Sequence, residues 1–326
     1  MTTTISAKAS ILEVIGRTPV IRLAAFSRQT GCEVYAKLEN LNPGGSHKAR
    51  IAMAMVLDAE RRGILERGRG QTIIEPSGGN TGIGLAIAGA ILGYRVILVI
   101  PDNYSPEKQY ILKLYGAELL LSDSRRGNNS HGLMAMEIQI KNPDYVMLNQ
   151  QRNPANPEIH RRTTAEEIFD VFGSARIDCF VAGIGTGGHI TGIGERLKDR
   201  WPLVKVLGVE PEGCDLLNDH HACHEIQGLS VGIIPDVLNL SVIDRMVQVS
   251  KEECLNAVKQ VMRNDGVNLG ISSGANFAAI QKSVGVAITP GSVILTMIYD
   301  GIEPYLSYFS EAVTASEGVR HDAPMQ

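Results

Sequence analysis

The stretch Leu41-Asn42-Pro43-Gly44-Gly45-Ser46-His47-Lys48-Ala49-Arg50 places one lysine directly after a Pro-Gly-Gly-Ser turn. It also stands in front of the apolar run Ile51, Ala52, Met53, Ala54, Met55, Val56 and Leu57. A glycine-rich turn feeding a helix start holds a lysine at a fixed point facing a cleft. That is one way to present an amine for a Schiff base. The same ten residues also fit a solvated helix-cap lysine, and alone they do not separate the two readings.

Two further glycine-rich turns do. Glu75-Pro76-Ser77-Gly78-Gly79-Asn80-Thr81-Gly82 follows the β-branched run Thr72-Ile73-Ile74 and precedes an apolar segment interrupted only by Gly84 and Gly89. Strand, glycine turn, helix is the order that aims free backbone N–H groups at an anion. Gly183-Ile184-Gly185-Thr186-Gly187-Gly188-His189 repeats it after Cys179-Phe180-Val181-Ala182, and its four glycines allow close approach of a phosphate. One such loop is a weak signal. A lysine turn, an asparagine-bearing turn and a phosphate-type turn in this order are a strong one.

With these motifs in hand, the chain resembles the fold-type II pyridoxal phosphate (PLP) enzymes, and within them the cysteine synthase (O-acetylserine sulfhydrylase) and cystathionine β-synthase family. The resemblance runs from Ile11-Leu12-Glu13-Val14-Ile15-Gly16-Arg17-Thr18-Pro19 to Tyr305-Leu306-Ser307. It includes Gln150, the segment Asn153-Pro154-Ala155-Asn156-Pro157-Glu158-Ile159-His160, and Gly270-Ile271-Ser272-Ser273-Gly274. It implies two α/β domains with mostly parallel twisted sheets and pyridoxal 5'-phosphate in the cleft between them. Residues 1–48 would begin the large domain, 49–153 would form a small substrate-binding domain and 154–315 the large PLP-binding domain. Residues 316–326 would be a polar tail.

The residues themselves support the same class. Strand-like runs at 34–38, 72–74, 96–100, 119–121, 179–182, 206–209 and 293–298 alternate with helix-like runs at 49–61, 82–92, 106–115, 158–172, 190–200, 252–263 and 275–283. Such alternation argues an α/β fold with parallel strands. Asn-Pro-Ala-Asn-Pro at 153–157 reads as a domain crossover whose prolines forbid regular helix.

Composition bounds the function. A chain of 326 residues with 44% hydrophobic and 20% charged residues is an ordinary globular protein of one large or two medium domains. A net charge of -4 gives no electrostatic footprint for nucleic acid or an acidic membrane. No apolar run reaches the roughly 18 residues that span a bilayer, and Met1-Thr2-Thr3-Thr4-Ile5-Ser6 lacks the pattern of a secretory signal. The expected location is cytoplasmic. The five cysteines are scattered, without a CxxC, as reduced thiols would be; Cys179 reads as a buried core residue. His220-His221-Ala222-Cys223-His224 is dense in metal-ligand types, but no second ligand pair stands at zinc spacing. It reads as a solvated loop, and no metal is expected.

The resemblance assigns roles. Lys48 would form the Schiff base and serve as the base for the substrate Cα proton. Gly185, Thr186, Gly187, Gly188 and His189 would hold the phosphate, Asn80 the ring 3′-oxygen, and Ser272 would face the pyridine nitrogen as a neutral partner. Ser77, Gly79, Asn80, Thr81 and Gln150 would clamp the substrate carboxylate. Asn80 and Ser272 have plain alternatives as a helix cap and as turn chemistry.

Departures from the family pattern cluster on the side where the second substrate enters. The family usually has serine at Gly78, phenylalanine at Gln151, and Gly-Ile-Gly-Ala-Gly at Gly228-Leu229-Ser230-Val231-Gly232. The loop's final threonine is His189 and the residue after the lysine, often Asp or Cys, is Ala49. The donor half-reaction therefore reads as intact and the nucleophile pocket, including Gly78, Gln151, Gly228 and Ser230, as altered.

The leading expectation is β-replacement on an activated L-serine through an aminoacrylate, with O-acetyl-L-serine and sulfide giving L-cysteine. The alternative joins an amino-acid amine or thiol instead, as in diaminopropionate-precursor or cystathionine synthesis. A non-catalytic PLP-binding scaffold is a third reading, against which Lys48 argues. The partners expected are small amino-acid substrates and, by family analogy, a second copy in a homodimer.

Overall fold

The computed structural model describes residues 7–104, 106–126 and 129–309; the tail expected at 316–326 lies outside them. In chain order come β1 (Val20–Arg22), α1 (Ala24–Thr30), β2 (Glu33–Leu38), α2 (Lys48–Arg61), β3 (Thr72–Glu75), α3 (Asn80–Leu92) and β4 (Arg95–Pro101). Then follow α4 (Pro106–Leu114), β5 (Glu118–Ser122), α5 (Ser130–Lys141), β6 (Val146–Met147), α6 (Ala155–Ile159) and α7 (Ala165–Phe172). The chain ends with β7 (Cys179–Gly183), α8 (Gly188–Arg200), β8 (Lys205–Pro211), β9 (Arg245–Val249), α9 (Lys251–Asp265), α10 (Ile271–Ser283) and β10 (Val293–Ile298).

The strands form two sheets, one ordered β1-β2-β10-β7-β8-β9 and one ordered β5-β4-β3-β6. Every pairing is parallel except β1 with β2. All residues of β3 and β7 are buried, as parallel strands covered on both faces must be. Val34, Ala36, Val181, Val209 and Ile294 pack with Phe277 of α10 on one face of the larger sheet. Phe180, Ala182, Val206 and Leu295 pack with Ile190 and Ile193 of α8 on the other. Ile73, Val96 and Leu98 of the smaller sheet pack against α2 and α3 through Ile51, Met55 and Leu85. Among the described residues no helix is long and apolar enough to cross a membrane.

The seven predicted strands are all present, and β1, β6 and β9 add to them. β1 and β6 have only three and two residues, too few to carry a period. The expectation that the prolines keep 153–157 out of a regular helix is corrected, since α6 begins at Ala155. Pro157 sits in the first turn of α6, where a backbone N–H has no intrahelical acceptor and proline is tolerated. The predicted single helix 158–172 continues from α6 through a π-helical turn, His160–Thr164, into α7.

Two fully buried positions of β2 and its exit, Lys37 and Glu39, meet Arg50 of α2 and Glu167 of α7. Arg50 lies 2.7 Å from both carboxylates, and Lys37 Nζ lies 2.7 Å from Glu167. Burial would raise the Glu167 pKa, but hydrogen bonds and charge from Arg50 and Lys37 bring it down to about 2. This network starts two residues beyond Lys48 and fixes the first turn of α2.

Candidate active site

The C-terminal ends of β3, β7 and β10 open into one cleft of about 880 Å³. Ligands bind at the carboxyl ends of parallel strands because the connecting loops and helix N-termini converge there. The lysine turn is stitched to the end of β10: His47 N–H donates to Tyr299 O at 2.9 Å, and Ser46 bridges to Asp300. Gly44 and Gly45 take φ of +78° and +74°, which only glycine adopts without strain. A Cβ on Gly44 would stand 2.8 Å from Ile87 Cδ1.

Lys48 is the first residue of α2, and its Nζ lies 3.4 Å from Thr186 Oγ1. Burial lowers its pKa to about 8, because a desolvated ammonium is disfavoured. Thr186 Oγ1 also accepts from Asn156 Nδ2 at 3.2 Å, and that amide donates to Gln150 O at 2.7 Å. The backbone N–H groups of residues 185–189 meet no acceptor among the described residues. They stand at the start of α8, where donors and dipole favour an anion. A Cβ on Gly188 would fall 2.0 Å from Asn156 Oδ1, one on Gly185 2.3 Å from Gly228 O, and one on Gly187 2.5 Å from Leu238 Cδ1. The loop is therefore glycine-rich for packing as well as for access.

Asn80 opens α3 and its amide donates to Asp300 Oδ2 at 2.7 Å; Tyr305 OH donates to the same oxygen at 2.7 Å. Thr81 Oγ1 donates to Gln150 Oε1 at 2.7 Å. Glu75, fully buried at the end of β3, accepts from Asn149 N and Gln150 N, each at 2.9 Å. Desolvation raises the Glu75 pKa, opposed by these N–H groups. Asn149, at φ +54°, is held in the left-handed region by this bond.

Beneath the loop, His47, His160, His189 and Tyr299 form a buried aromatic cluster. The His47–His189, His160–His189 and His189–Tyr299 centroids are 5.5, 6.2 and 5.1 Å apart. His189 Nε2 pairs with Tyr299 OH at 3.1 Å, and that hydroxyl accepts from Gly183 N–H at 2.8 Å. Burial, then the charge of Lys48, lowers the His189 pKa to about 3, and His47 and His160 are also pushed well below 6.5. All three rings are therefore neutral beside the loop.

Of the residues singled out in the sequence, Lys48, Ser77, Gly78, Gly79, Asn80, Thr81, Gln150, Gln151, Gly185, Thr186, His189, Gly228, Ser230 and Ser272 line this one cleft. Gly187 and Gly188 sit behind its wall, against Leu238 and Asn156. The space a side chain at Gly78 would take is filled, since its Cβ would lie 2.7 Å from Ile100 Cγ2 and 3.0 Å from Tyr104 Cε1. Sequence reasoning missed Asp300, Asn156 and the histidine cluster. Asp300 alone had a local signal, a carboxylate two residues beyond an apolar strand. The His220–His224 segment is a loop with His220 and Cys223 exposed, and it does more than the sequence suggested: His221, Cys223 and His224 line the cleft mouth. Among the described residues no group of three or more His, Cys, Asp or Glu side chains could hold a metal.

A half-buried amine of lowered pKa beside a helix start with unpaired N–H groups fits a phosphate-bearing aldehyde. Residues 11–300 match the family described as pyridoxal-phosphate dependent enzyme. The chain belongs to this family. This PLP-dependent enzyme is 39% identical over 300 residues to a cysteine synthase of Staphylococcus aureus, covering 91% of this chain and 95% of that one. It is 40% identical over 301 residues to the O-ureido-L-serine synthase of Streptomyces lavendulae, covering 92% and 91%. The crystal structure of an O-ureido-L-serine synthase superposes with a TM-score of 0.87 at 38% identity, over 95% of this chain and 100% of that one. The family uses pyridoxal phosphate.

Proposed function

We propose that the enzyme performs β-replacement on an activated L-serine, with O-acetyl-L-serine as donor. The observation that carries the reading is the half-buried Lys48, its Nζ 3.4 Å from Thr186 Oγ1 at the mouth of the glycine loop. When bound, PLP supplies the electron sink that labilises the substrate Cα–H bond and lets the β-substituent leave. Lys48 would anchor the cofactor's aldehyde and, as a free amine, take the Cα proton, a role its depressed pKa suits. Residues 185–189 would hold the phosphate with backbone N–H groups and the Thr186 hydroxyl, and Asn80, whose amide is oriented by Asp300, would serve the ring oxygen. Ser272, buried near the start of α10, offers the ring nitrogen a neutral partner. Thr81 and Gln150, already bonded to each other, clamp the donor carboxylate with Ser77 and Gly79.

With sulfide as nucleophile the enzyme is a cysteine synthase and a transferase of cysteine biosynthesis, a reading supported by the S. aureus relative. A second reading, an amino-acid amine or thiol as nucleophile, is favoured by the polar wall that Gln151, His221 and Ser230 give the cleft. On this reading the enzyme is a cytoplasmic homodimer that holds the cofactor between the domain of residues 49–153 and the rest. The test is to offer the purified protein O-acetyl-L-serine, O-phospho-L-serine, L-serine and L-cysteine, then candidate nucleophiles, and to identify products by mass. Release of acetate with a β-substituted alanine is expected. Consumption of none of the donors would overturn the reading.

A further inference from the structure

The mouth of the cleft carries a chain of three side chains that the donor half-reaction does not use. Asp219 Oδ1 lies 3.1 Å from His221 Nε2, and His221 Nδ1 lies 3.3 Å from Ser230 Oγ. Asp219 is largely exposed, whereas the His221 side chain keeps only 17% of its surface. Both His221 and Ser230 line the cleft. With Nε2–H donated to the carboxylate, Nδ1 is left as the acceptor for the serine hydroxyl. Carboxylate, imidazole and hydroxyl stand in the order that lets an imidazole take a proton through a hydroxyl and be stabilised as its cation.

The backbone marks the same place. Ser230 takes φ +42° between Gly228 at +90° and Gly232 at +82°, a left-handed conformation that costs a side-chain-bearing residue strain. It is held there by its N–H on Ile184 O at 2.8 Å and by His224 Nε2 on its carbonyl at 3.3 Å. Ile184 immediately precedes Gly185, so the hydroxyl is anchored one residue from the glycine loop at which Lys48 points.

We propose that Asp219, His221 and Ser230 form a proton relay that deprotonates the second substrate, and that this substrate is a primary amine rather than sulfide. The inference rests on the β-replacement reading above. Hydrosulfide is present in neutral solution already deprotonated and gains nothing from a base, whereas an amine arrives as an ammonium with no free lone pair. The ammonium gives one proton to Ser230 Oγ as Ser230 passes its own to His221 Nδ1, and Asp219 balances the resulting charge. Acetate has by then left in the donor half-reaction with the electron pair of the Cβ–O bond, so the freed lone pair forms the C–N bond at the Cβ it vacated, and Lys48 returns to Cα the proton it took.

The experiment compares wild-type, His221→Gln and Asp219→Asn holoenzymes, each checked for retained PLP absorbance. Each receives O-acetyl-L-serine with sulfide or azide, which need no deprotonation, or with glycine, L-serine or methylamine, which do. Expected is an amine adduct from the wild type whose rate falls about a hundredfold in His221→Gln, with sulfide and azide use reduced less than about threefold. Asp219→Asn should fall in the same direction by a smaller factor. Equal losses for all nucleophiles would make the pair a prop for the mouth loop and overturn the proposal. So would a wild type that turns over sulfide but forms no amine adduct, although β-replacement would stand. A protein that consumes no donor with any nucleophile would take both readings down.

Discussion

Replacing Gly185 by alanine tests the cofactor loop at its tightest point. The φ of Gly185 lies outside the left-handed region, so the effect of alanine there follows from its Cβ contact. Its Cβ would stand 2.3 Å from the Gly228 carbonyl oxygen, well inside van der Waals contact. The neighbour is backbone, so one of the two loops must move by about 1 Å, and overpacking of this kind costs roughly 1–3 kcal/mol. That cost falls on the arrangement that holds the phosphate, which predicts PLP binding weakened about five- to 150-fold. Apo-protein titrated with PLP, followed by absorbance, reads this directly, with thermal melting to show that the fold survives. Gly79→Ala is the control, because its Cβ meets nothing within 4 Å; it should bind PLP as the wild type does. Unchanged affinity in a folded Gly185→Ala protein would refute the argument that residues 185–189 carry the phosphate in this backbone geometry.

Lys48→Ala should lose both the covalent cofactor and turnover, checked by absorbance and by mass of the borohydride-reduced protein. In the wild type, covalent capture of PLP should rise with pH about a midpoint near 8, where burial places the amine, rather than near 10.5; a stopped-flow pH series would tell. Glu75→Gln leaves one acceptor for the two N–H groups of Asn149 and Gln150. It should weaken kcat/KM for the donor by about 1–3 kcal/mol with PLP retention kept; loss of PLP instead would argue against a carboxylate-side role. His189 stays neutral in the fold down to about pH 3 but titrates near 6.5 when unfolded. The unfolded chain therefore binds the extra proton in that window, and stability falls as pH falls through it by up to about 1.4 kcal/mol per unit for this ring. Denaturant melts of wild type and His189→Asn between those limits should converge as the pH drops.

What the sequence determined by itself was whatever local chemistry decides. Buried parallel strands are short apolar runs, so β3, β4, β7 and β10 could be read from composition. Glycine turns at strand ends are set by steric limits on φ and by the demand for bare backbone, so the lysine turn and both loops could be placed before any fold was known. The capping box of α9, Ser250 with Glu253, is likewise local. Pro157 misled because proline's effect depends on its place in a helix, and the first turn of α6 existed only once its neighbours packed.

The tertiary structure decided everything that rests on pairs distant in the chain. Asn80 meets Asp300 across 220 positions, and Lys48 meets Thr186 across 138. His47, His160 and His189 become one cluster only when α2, the π-helical turn and α8 converge. The pKa of Lys48 is a property of that convergence too, since desolvation depends on what the fold buries around the amine and not on the residues beside it. His221 shows the limit most sharply. Its sequence neighbours are metal-ligand types, yet its role is set by Ser230, a residue whose left-handed backbone and place at the cleft only the packed loops could fix.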